Sequence, residues 1–159
     1  MNELIAAIET MDPEGLAAVI LMFAGYFTVV AVVAVIRYLM AAIGYSKMFR
    51  KAGIAGWKAF IPLYNHYNEY KICWNGKIYF LALALYVVIT ALANSTNFVL
   101  SLIAAAGGIT LIVIAVKQNI KMAKAFGKGA GTGILLILFP GITSLVLGFG
   151  KAEYTAITE

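Results

Sequence analysis

Four uncharged apolar stretches, residues 16–36, 78–93, 98–116 and 131–149, divide the chain, and eleven of its twelve Lys and Arg residues lie in two of the five segments outside them. Taken in order, those five segments carry 0, 7, 0, 4 and 1 bases. Each stretch is long enough to approach or cover a bilayer core of roughly 30 Å as a helix rising about 1.5 Å per residue. The alternation of bases with each crossing then predicts an orientation, because basic loops stay on the cytoplasmic side. The expected fold is therefore all-α: a four-helix transmembrane bundle in a single membrane domain, with cytoplasmic segments at 37–77 and 117–130. Both termini are expected outside the cytoplasm.

Composition supports lipid as the solvent. Of 159 residues, 63% are hydrophobic and only 12% charged, about half the charged share of a soluble domain. The net charge of +5 belongs to residues bordering the apolar stretches, so anionic lipid headgroups rather than nucleic acid are the expected counter-charge. A single cysteine, Cys73, rules out an internal disulfide. Residues 1–15 hold four acids and no base, unlike a cleavable leader. The polar turn 94–97 between the second and third stretches predicts an antiparallel helical hairpin.

The basic segments hold the greatest chemical variety. Trp57, Phe60, Ile61, Tyr64 and Tyr67 recur at three- and four-residue steps, which predicts one aromatic face on an interfacial helix over 55–70. Pro62 must bend that helix or open its first turn. Two readings compete for this segment. It anchors at the headgroup level, or it folds back between the spans to line a cavity with Tyr64, Asn65, His66 and Asn68. In the second segment Lys117, Lys121, Lys124 and Lys128 form a stripe on a helix over 117–126, which Gly127 is placed to end. With Trp57 and Lys58 they are candidate contacts for lipid or a partner protein. The break at Pro140, with Thr143 and Ser144 beside it, is a second candidate cavity lining. Small-residue pairs at Ala104 and Gly108, at Ser144 and Gly148, and at Ala17, Leu21 and Gly25 predict close helix packing within the chain or in a homo-oligomer.

Three ordered segments resemble an uncharacterised family of small bacterial multi-pass membrane proteins. They are Gly56-Trp57-Lys58-Ala59-Phe60-Ile61-Pro62-Leu63-Tyr64-Asn65, Ala123-Lys124-Ala125-Phe126-Gly127-Lys128, and Leu147-Gly148-Phe149-Gly150 followed by Tyr154. The resemblance spans roughly residues 45–154 and implies a bacterial inner membrane. Some members carry a signal-peptidase-like label. That chemistry needs a serine nucleophile and a lysine base in a folded outer domain, and the outer segments here are too short to build one. Ser46 and Lys47 are sequence neighbours, which suits no such dyad.

Other chemistry is sparse. No stretch contains a charged residue, which counts against a proton-coupled transporter. His66 is the only histidine; with Glu69 it does not make a metal site. No glycine-rich phosphate loop is present. The reading is a non-enzymatic membrane protein without cofactor or metal, which assembles with itself or a membrane-protein partner, or organises lipid, through its basic aromatic face. The alternative is a small transporter or channel with a cavity near Pro62 and Pro140.

Overall fold

A computed structural model describes residues 12–93 and 95–156. Among them are six α-helices and no strand: α1 (Pro13–Lys51), α2 (Pro62–Cys73), α3 (Gly76–Leu92), α4 (Phe98–Ala125), α5 (Ala130–Leu138) and α6 (Pro140–Phe149), with a 3-10 turn at Gly56–Phe60 before α2. The chain divides after Tyr38 into two units. The described part of the first is the opening of α1. Asp12 caps it, its carboxylate accepting the Gly15 N–H at 3.0 Å, and Pro13 suits the first turn, where its missing N–H costs nothing. Apolar side chains here face outward: Leu21, Met22, Phe27 and Val29 are all more than 60% exposed.

The second unit contains the core. It is built from Tyr45, Met48 and Phe49 of α1, Ile72 and Cys73 of α2, Met122, Ala125 and Phe126 at the end of α4, and Leu136 and Leu147 of α5 and α6. Gly53 and Gly127 sit at φ +74° and +66°, ending α1 and α4 in the same way. In each, the residue after the glycine bonds back five positions (Ile54 to Phe49, Lys128 to Ala123) and the glycine bonds back three, a Schellman closure that side chains with a Cβ adopt poorly. Gly127 thus stops α4 where its sequence predicts. α1 passes straight through Gly44, which lies in the core because a Cβ there would collide with the backbone at Ser144 and Leu145.

A bundle of four membrane-crossing helices does not form. Among the described residues only α1 (39 residues) and α4 (28 residues) are both long and apolar enough to cross a bilayer. α3 has 17 residues, about 26 Å at 1.5 Å each. It does pack against α4 as the expected antiparallel hairpin, with Ile89 and Leu85 over Gly107. Asn97 caps α4 by accepting from Val99 at 2.9 Å and Leu100 at 3.4 Å; Asn94, in the same turn, lies outside the described residues.

Residues 131–149 are not one span but two arms of 9 and 10 residues. α5 leaves the end of α4 and runs back along it, with Gly133 against the backbone of Asn119 and Ile120. Phe139 adopts φ −133°, ψ 61° and Pro140 opens α6, so the direction reverses. α6 then runs parallel to the last turns of α1, with Ser144 at Gly44 and Gly148 at Gly44 and Lys47. The tail therefore returns to the basic end. Thr155 donates its N–H to the Ala125 carbonyl at 2.8 Å, and the Tyr154 hydroxyl donates to the Ile72 carbonyl at 2.8 Å. The expectation that the tail lies opposite the basic segments is overturned by these bonds.

Candidate functional site

α2 is built inside out. Its helix begins at Pro62, whose ring is tolerated at the first position, so Trp57 to Phe60 form the separate 3-10 turn rather than part of one long helix. The face carrying Asn65, Asn68 and Glu69 is buried, while Trp57, Phe60, Ile61, Leu63 and Tyr64 are exposed. A helix at a water-facing surface shows the reverse arrangement.

The exposed aromatics form a continuous platform. Trp57 meets Tyr64 at 6.1 Å, Tyr64 stacks on Tyr67 at 6.2 Å with planes 5° apart, and Tyr67 meets Phe80 of α3 at 5.6 Å. Gly76 makes room for this: a Cβ there would stand 2.9 Å from the Tyr67 ring. The Lys58 ammonium sits 5.2 Å from the Tyr64 ring centre and that of Lys121 4.6 Å from Trp74. Cations over aromatic faces in this way remain positioned for anions on their open side. Lys117 and Lys124 are exposed on α4 and Lys121 is half-buried, while Lys128 is exposed beyond the end of that helix.

Beneath the platform lies a polar interior. The Asn68 amide donates to the Tyr64 carbonyl at 2.6 Å, and the Cys73 thiol donates to the Gln118 carbonyl at 3.5 Å. Glu69 has an 8% exposed side chain and His66 a 60% exposed one, and their charged atoms are 3.6 Å apart. The neighbouring Glu69 side chain raises the His66 pKa, against burial that lowers it. Burial, and then the charge of Glu69, push the Cys73 thiol up to about 12. Asn65 Oδ1, Glu69 Oε1 and Gln118 Nε2 have no hydrogen-bond partner within the protein.

The candidate cavity residues are thus split. Asn65 and Asn68 are buried, whereas Tyr64 and His66 face outward. Thr143 and Ser144 turn their hydroxyls onto the Leu135 and Gly141 carbonyls, each at 3.0 Å, which satisfies backbone groups at the Pro140 reversal.

Lys51 was not legible as a site. Its ammonium donates three 2.8 Å bonds, to the carbonyls of Leu147, Gly150 and Ala152. All three N–H groups are used, and a cation sits where the α6 dipole is negative. Glu69 and Gln118 were also missed as interior residues. Gln118 and Asn119 are the two amides between Lys117 and Lys121, and that Gln118 is the buried one is visible only once α4 is known to pack.

Fold and site together define a small all-helical protein with apolar outer surfaces, an aromatic surface cluster and a buried carboxylate paired to a histidine. The chain belongs to a family of unknown function (DUF5684), which matches residues 57–156. That match begins at Trp57 and takes in α2 through α6. No curated protein and no solved structure matches the chain.

Proposed function

We propose that the chain is a multi-pass protein of the bacterial inner membrane whose basic, aromatic end faces the cytoplasm and binds anionic lipid headgroups. In this reading α1 and α4 cross the bilayer, and α3 returns the chain to the outer end of α4 with the help of tilt or local thinning. The α5–α6 hairpin enters from the cytoplasmic side and comes back to it. The N-terminus then lies outside and the tail inside. The role is one of binding and organising, not catalysis, and uses neither metal nor cofactor.

The observation that carries the proposal is the exposure pattern of the 3-10 turn and the start of α2. Burying Asn65, Asn68 and Glu69 of α2 while exposing Trp57 of the turn, Ile61 at the junction and Leu63 of α2 is costly in water, at roughly 25 cal/mol per Å² of apolar surface left wet. It is favourable where the outer surface meets lipid at headgroup depth. Lys58, Lys117, Lys121, Lys124 and Lys128 on the same end supply charge at that depth, each worth about 1 kcal/mol toward an anionic surface. A second copy of the chain or another membrane protein is the further partner class such a face accommodates. Transport draws no support from Thr143, Ser144 and Asn68, whose side chains are spent on nearby backbone carbonyls, those of Leu135, Gly141 and Tyr64.

Thermal unfolding of purified protein in mild detergent tests this. Added phosphatidylglycerol should raise Tm more than phosphatidylcholine does. Replacing Lys117, Lys121, Lys124 and Lys128 by Gln should abolish the difference. Equal stabilisation by both lipids would sink the reading.

A further inference from the structure

The α5–α6 hairpin leaves an open groove of about 370 Å³ along its length, within the size range of small-ligand sites. Leu135 and Phe139 wall it from α5, and Ile142 and Val146 from α6, all four between 47% and 63% exposed. Thr143 also lines it, yet its hydroxyl is committed to the Leu135 carbonyl at 3.0 Å, so the surface offered is apolar. Lys128 lines the groove at the basic end. Its ammonium forms no ion pair among the described residues. Next to it Gly129 precedes α5 with no side-chain cap; the Thr132 N–H bonds the Gly129 carbonyl at 3.1 Å, which leaves the N–H groups of Ala130 and Gly131 at the positive end of the helix.

From this geometry we infer that the groove holds one acyl chain of an anionic phospholipid, with the headgroup phosphate at Lys128 and the N-terminus of α5. The inference rests on the reading above, that the basic end lies at the cytoplasmic headgroups, and deepens it from a charged face to a defined site. Two features match this occupant. The 9 helical residues of α5 rise about 14 Å, close to the roughly 15 Å depth of one leaflet's hydrocarbon. Charge is also arranged by depth, with a cation and free N–H groups at one end and only apolar side chains toward the turn. A lipid seated here would fill a furrow that neither arm of the hairpin closes for itself.

Native mass spectrometry of the full chain, incubated in detergent with equal phosphatidylglycerol and phosphatidylcholine, reads the site directly. One retained phosphatidylglycerol per chain is expected. Leu135→Trp, which fills the groove from an exposed position, should lose it, with Ile142→Trp as the second variant where the first unfolds. Lys128→Gln should weaken retention on the order of fivefold and erase the headgroup preference. Lys71→Gln, at an exposed lysine outside the groove and outside the charged face, should leave the retained lipid in place. Retention unchanged in folded groove variants would overturn the site, as would a dimer that forms in place of the lipid adduct. The two failures are distinguishable. If lysine replacement abolishes the Tm difference while groove variants keep their lipid, the groove is wrong and the charged face stands. If neither lipid is preferred in either experiment, the underlying reading has failed first.

Discussion

Gly148 lies against the carbonyl of Gly44: a Cβ at position 148 would stand 2.6 Å from that oxygen and 2.9 Å from Cβ of Lys47. This contact holds the returning arm of the hairpin to the last turns of α1. The small-residue pair Ser144 and Gly148 is thus a packing seam. Of the other pairs, Gly108 has nothing within 4 Å of an added Cβ, and its neighbour Gly107 is the one that receives Ile89.

Gly44→Ala and Gly148→Ala should each destabilise the protein by about 1–3 kcal/mol, the usual cost of overpacking. Gly108→Ala should be neutral or stabilise slightly, since alanine favours a helix interior by about 0.5–1 kcal/mol. Thermal unfolding in detergent compares the three, and a Gly148→Ala protein as stable as the parent would refute the close approach.

Lys51→Met removes a cation that serves three carbonyls and leaves them to water or to nothing. A loss of about 2 kcal/mol is expected from charge-assisted bonds at a helix C-terminus. The tail should become accessible to protease beyond Gly150. Unchanged cleavage kinetics would show that Tyr154 and Thr155 hold the tail without it.

Burial and the nearby Glu69 charge leave Cys73 with a pKa of about 12. At pH 8 about one thiol in ten thousand is then ionised, and the thiolate is the reactive form. Maleimide should therefore leave the folded protein unlabelled and react fully once it is denatured. Labelling of the folded chain at the rate of a free cysteine would contradict this packing.

Because Cys73 is silent, single cysteines report topology without background. Cysteines placed at Gly129 and Ala156 should label from one side of the membrane, since Thr155 is bonded to Ala125. Labelling from opposite sides would restore a full crossing by residues 131–149.

The His66 pKa is raised by the neighbouring Glu69 side chain. A group held above its unfolded value stabilises the fold fully below that unfolded value, near 6.5, and the contribution fades as pH rises through the folded value. Lowering the pH from 8 to 6 should thus favour the parent protein over His66→Ala, with the effect small because the imidazole is mostly exposed. A pH profile identical in the two proteins would rule out the pairing.

Local signals were legible in the sequence. Gly127 as a stop and the turn at 94–97 that pairs α3 with α4 are decided within a few residues, where capping geometry acts; the single helix that the spacing of Trp57 to Tyr67 predicts is instead divided at Pro62. The failure of the bundle of four crossings was not legible, because residues 131–149 have the composition of a span. What turns them back is Pro140 together with the fit of Ser144 and Gly148 to Gly44, about a hundred positions away in sequence. The face of α2 that is buried was equally hidden. Periodicity separates Asn65 and Glu69 from Tyr64 and Leu63, but either face can be the inner one when the surroundings are lipid. Glu69 went unread for a related reason: a carboxylate is ordinarily exposed, and its exception here depends on α2 packing against α4.

The three bonds of Lys51 carry a consequence in time. They join residues 96, 99 and 101 positions apart, and chains are synthesised at about 5–20 residues per second. For roughly 5–20 s after Lys51 is made its acceptors do not exist, so its charge must wait in water. Until the returning arm arrives, α1 stays anchored with that end unlocked. The step that completes the fold is then set by the ribosome's clock and not by the helices alone.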